Sequence, residues 1–74
     1  MPRVLHLLKG DDPSLALAVI AQQRAAGDDV AVVLLPGAPA VGLPPGVAGQ
    51  RAPEQLSWNA LLERIFEADQ VITW

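Results

Sequence analysis

Asp29-Val30-Ala31-Val32-Val33-Leu34-Leu35 places six apolar residues in succession behind one acidic residue. A strand with one face in water alternates apolar and polar residues. Unbroken apolarity is what a parallel strand covered on both faces requires. A parallel partner in turn requires a crossover, because a hairpin cannot join strands that run the same way.

The residues before this run supply that crossover. Asp12-Pro13 is a helix start: the carboxylate can cap, and proline at the first helical position loses no hydrogen bond. The helix then runs to about Ala26. Its first turns, Leu15 to Ala21, are apolar almost all round, which fits either alanines facing solvent or cover on two sides. Gly27 follows as the residue that closes the helix in a left-handed conformation. Upstream, Arg3-Val4-Leu5-His6-Leu7-Leu8 lies between Pro2 and Lys9-Gly10-Asp11-Asp12 and reads as a short buried strand. Strand, helix and strand form a right-handed βαβ unit.

Downstream, residues 36–53 hold five of the seven prolines and four of the six glycines, too many for a helix. The segment reads as an irregular loop with one short strand around Val47-Ala48-Gly49-Gln50-Arg51. Periodicity returns at Ser57. Apolar residues at 58, 61, 62, 65 and 66 have helical spacing, with Asn59, Glu63, Arg64 and Glu67 opposite. Ser57 is placed as an N-cap, and Leu56 and Leu61 as a hydrophobic staple. Val71-Ile72-Thr73-Trp74 then reads as a last strand. The expected architecture is α/β, a small open and mainly parallel four-stranded sheet with two helices. One connection offers no helix, so part of a face is expected to stay bare until another subunit covers it.

Length and composition point the same way. A 74-residue chain makes one domain, residues 1–74, and buries only about 60–65% of the surface it exposes when unfolded. Half of the residues are hydrophobic and the mean hydropathy is positive, at +0.32, more apolar side chain than a small monomer covers easily. A net charge of −3 with five scattered basic residues disfavours direct binding to nucleic acid. No run reaches the roughly 20 apolar residues of a membrane span, and no signal peptide is legible, so a cytoplasmic protein is expected. The absence of cysteine excludes a disulfide, a thiolate ligand or a persulfide carried on this chain.

Ligands of open parallel sheets bind beyond the carboxyl ends of the strands. That edge offers Lys9, Gly10, Asp11 and Asp12 as a candidate anion or small-molecule site, with Pro36-Gly37 beside it. Lysine and free N–H groups attract an anion, but the two aspartates repel it, and no GxGxxG or P-loop pattern is present. His6, the one histidine, shares a face with Val4 and Leu8 and reads as a packed residue before a proton-transfer group. Glu63 and Glu67, one turn apart, read as a solvated face before a metal half-site. No cofactor and no metal is expected. Trp58 and Trp74 are two of three aromatics, and each suits a subunit contact or the core equally. With Leu15 and Val19 of the first helix they form the expected interface. A chain closing on Trp74 favours a docked terminus.

The opening Val4-Leu5-His6-Leu7-Leu8-Lys9, the Gly27-Asp28 before an aliphatic strand, and Leu56-Ser57-Trp58, Leu61-Leu62 and Ala68-Asp69-Gln70-Val71-Ile72-Thr73-Trp74 together resemble the DsrE/DsrF/DsrH-like superfamily, closest to its DsrH (TusB) branch. The resemblance covers both ends, roughly three-quarters of the chain. It implies a flavodoxin-like fold, assembly into dimers or hetero-hexamers with DsrE- and DsrF-like subunits, and a place in sulfur relay, in sulfur oxidation or tRNA thiolation. Active members of the superfamily carry persulfide on cysteine, so here it implies a non-catalytic assembly or scaffolding subunit rather than an enzyme. A small-molecule or anion binding module at the strand ends is the alternative, and an enzyme using His6 as acid or base the third reading.

Overall fold

A computed structural model describes residues 2–9, 13–38, 42–44 and 46–74. The elements follow in the order β1 (Arg3–Leu8), α1 (Ser14–Ala25), β2 (Asp29–Leu34), β3 (Ala48–Arg51), α2 (Trp58–Glu67) and β4 (Gln70–Thr73). All pairings are parallel, in the order β3-β2-β1-β4. The chain thus moves outward from β1 to β3 and then crosses back to the other side of β1. Right-handed crossovers taken in opposite directions put their helices on opposite faces, and the packing shows this division. Leu8, Val30 and Val32 meet Ala16 and Ile20 of α1 on one face; Leu5 and Val33 meet Leu61 of α2 on the other.

Local chemistry fixes the ends of the elements. Gly27, at φ +92°, donates to Arg24 O, and Asp28 N donates to Gln23 O, the paired bonds of a Schellman cap. The Ser57 hydroxyl accepts from Ala60 N at 3.2 Å, and Leu56 and Leu61 are buried together as a staple. The helical assignment of α1 begins at Ser14, one residue after the expected start, with Pro13 O accepting the first bond from Leu17 N. The expected cap, Asp12, lies outside the described residues. Ala18, Ala21 and Ala25 of α1 face solvent together with Leu15, so much of its apolar circumference is small residues in water.

The connection from β2 to β3 contains no helix among the described residues. It begins with a tight turn in which Pro36 and Gly37, the latter at φ +91°, let Ala38 N reach Leu35 O. The face it leaves without a helix is not bare. Ala38, Leu43 and Val47 pack onto the α1 side of the sheet and do the covering themselves. The large apolar residues left in water lie elsewhere: Leu15, Trp58, Leu62, Phe66 and Val71.

Two substitutions rank these contributions. Ile20, fully buried between α1 and the sheet, loses about 2–5 kcal/mol of stability on conversion to alanine. Ser57→Ala loses about 0.5–2 kcal/mol through its cap. Urea denaturation of both variants measures the difference; an equal loss would mean that the cap is coupled to packing.

Candidate functional site

His6 is fully buried, the one polar side chain among the buried residues that the structure describes. Its neighbours satisfy both ring nitrogens. Trp74 Nε1 donates to Nδ1 at 2.9 Å, and Nε2 lies 2.6 Å from Gln23 Oε1. An indole N–H can only donate, so Nδ1 accepts and the ring proton sits on Nε2, donated to Gln23. The imidazole and indole planes lie within 11° of each other with centroids 6.1 Å apart, the geometry of an in-plane hydrogen bond between two rings. This bridge ties β1, α1 and the end of β4 together. Neither ring nitrogen of His6 is open to a substrate, so its geometry is that of a structural histidine.

The candidate anion site is only partly visible. Lys9 is exposed beyond β1, while Gly10, Asp11 and Asp12 lie outside the described residues. Nearby, the Arg51 guanidinium donates to Ala38 O, a bond that braces the loop. A cavity lies at the other end of the sheet. It has a volume of about 270 Å³, with Val4, Leu5, Val30 and Ala31 as floor and Arg3, Asp29, Arg64 and Glu67 at the rim. No motif in the sequence marks it, since its lining is strand residues and scattered charges. Its rim charges largely oppose one another: Arg3 approaches Asp29 at 3.9 Å and Glu67 at 4.0 Å, in exposed pairs worth about 0–1 kcal/mol each. No group of three or more metal-ligating side chains forms among the described residues, and Glu63 and Glu67 both face water.

The residues expected at an interface fall on both faces of the sheet, Leu15 and Val19 on α1 and Trp58 on α2, while Trp74 packs against the core. Arg64, Glu67 and Ala68 line the cavity together with Gly46 and Ala48, which puts that flank of α2 towards β3. Leu61 and Ile65 point into the core. Helical spacing then turns Trp58, Leu62 and Phe66 onto the opposite flank, towards β4, where they are 51%, 52% and 79% exposed. On the other face, Arg24 lies over Gly46 beside β3, whereas Gln23 reaches His6 of β1. Leu15 and Val19 precede Gln23 at four-residue steps and so lie along its flank of α1, with Leu15 exposed. Leu62 and Phe66, which share one apolar stripe with Trp58 in the sequence, belong to this surface as well. The signal was present: five apolar positions make a wider arc than one sheet face needs.

No helix among the described residues is long and apolar enough to cross a membrane. No family model matches the chain, and no curated protein or solved structure matches it either.

Trp74→Phe removes the donor to Nδ1 and strands a buried acceptor, with an expected loss of about 1–3 kcal/mol in urea denaturation. In the native chain, nitrogen NMR of His6 is expected to find the proton on Nε2; a proton on Nδ1 would be incompatible with the indole bond.

Proposed function

We propose that this chain is a non-catalytic assembly subunit that binds another α/β subunit through the β4 side of its sheet. The observation that carries the reading is the exposed stripe of Trp58, Leu62 and Phe66 beside the exposed Val71. Large aromatic side chains supply contact area at little entropic cost and dominate the centres of protein interfaces. Holding them in water is unfavourable unless something covers them. The closed hydrogen bonding of His6 and the lack of cysteine agree with a role without covalent chemistry.

The resemblance to DsrH (TusB) proteins suggests the setting: a sulfur-relay assembly in which DsrE- and DsrF-like subunits carry the persulfide. In that setting this chain positions its partners and transfers no sulfur itself. The binding-module reading gains no specific observation, since the cavity lies at the amino ends of the strands and Arg3 at its rim already faces Asp29 and Glu67.

Trp58→Ala and Phe66→Ala test the proposal, because both side chains are exposed and their loss spares the core. Each is expected to weaken assembly with the native partner subunits by about 10-fold or more while leaving circular dichroism unchanged. Assemblies of unchanged mass and affinity in both variants would refute it.

A further inference from the structure

We infer that the subunit covering this surface is a second copy of the same chain, joined about a two-fold axis so that β4 pairs antiparallel with its counterpart into one eight-stranded sheet. The inference rests on the assembly reading above and names its first partner.

The two edges of the sheet differ in the way that matters. β3 is blunted. It contains Gly49, over which Leu43 is folded so closely that a Cβ there would collide with it, and it ends on Arg51. Natural sheets protect their free edges by such means, with charge, proline, irregularity or cover. β4, Gln70-Val71-Ile72-Thr73, has none of them: no charge, no proline and no glycine. Trp74 N bonds to Leu7 O, and alternation along the strand turns the N–H and C=O groups of Val71 and Thr73 away from β1. β4 therefore offers an uncharged, β-branched edge to another strand.

The helices suit a strand placed there. Strands in a sheet lie about 4.8 Å apart, so pairing β4 with its mate would set two α2 helices, each over β1, on the order of 14 Å apart. Direct helix packing needs only about 8–10 Å. The excess is a space for large side chains, and α2 presents Trp58, Leu62 and Phe66 to it above Val71. With the helices antiparallel across the axis, Leu62 meets its own copy and Trp58 meets Phe66. None of these residues is charged, so the contact brings no like charges together between two copies of an acidic chain. From their exposures, Trp58, Leu62, Phe66 and Val71 offer on the order of 400 Å² of apolar surface. This is about half of the roughly 800 Å² per partner in a stable interface, with the paired strand edges and the rim as the remainder.

The test uses the axial position. Analytical ultracentrifugation of the purified chain is expected to give twice its 7.8 kDa. Leu62→Lys and Leu62→Glu each place like charges at the axis and should weaken the dimer at least ~100-fold. An equimolar mixture of the two should dimerise again, because opposite charges then meet. Thr73→Lys, on the open edge, breaks the same dimer independently of the helix. A native chain that stays monomeric at ~100 µM, variants that stay dimeric, or a mixture that stays apart would each overturn the two-fold pairing. A monomeric native chain whose assembly with a different subunit is still lost on Trp58→Ala would overturn self-pairing alone and leave the assembly reading standing.

Discussion

The fold depends on β1 being used twice. It is bonded to β2 along one edge and β4 along the other, and it is packed by α1 on one face and α2 on the other. A strand enclosed on four sides leaves no room for a polar side chain without partners. His6 is the exception that the structure accommodates, and it does so by recruiting a donor from the end of β4 and an acceptor from α1. The specificity of the central strand is thus partly polar: an apolar residue at position 6 could pack, but it would not dictate where Gln23 and Trp74 go.

Much of this architecture is legible in the sequence because it rests on local rules. The unbroken apolar run of β2 implied a parallel sheet; Gly27 and Ser57 marked helix ends whose hydrogen bonds are now visible. Even β3, set among prolines, appears within one residue of its expected start. The strand order was not legible, because nothing in β4 states which side of β1 it will join. The Gln23 bond to His6 was equally hidden, since it joins residues 17 positions apart through two side chains of ordinary composition.

The exposed apolar residues of α2 show where periodicity stops being informative. Leu61 and Leu62 are adjacent leucines in one stripe, yet Leu61 is buried and Leu62 half exposed. A helical pattern reveals the breadth of an apolar arc, but the width of the sheet beneath decides how much of that arc one chain can cover. Here the loop after β2 covers its own face with Ala38, Leu43 and Val47, and the surplus falls beside β4. The apolar surface left over is therefore the outer flank of α2 with Val71 beneath it, while the cavity at the far end carries ion pairs at its rim.

The two tryptophans divide these concerns between them. Trp58 stands in water on the outer flank of α2, whereas Trp74 is held against His6 inside the fold. The chain has no tyrosine, so its ultraviolet emission comes essentially from these two indoles. Each therefore reports on a different event: Trp58 on anything that covers the outer flank of α2, Trp74 on unfolding.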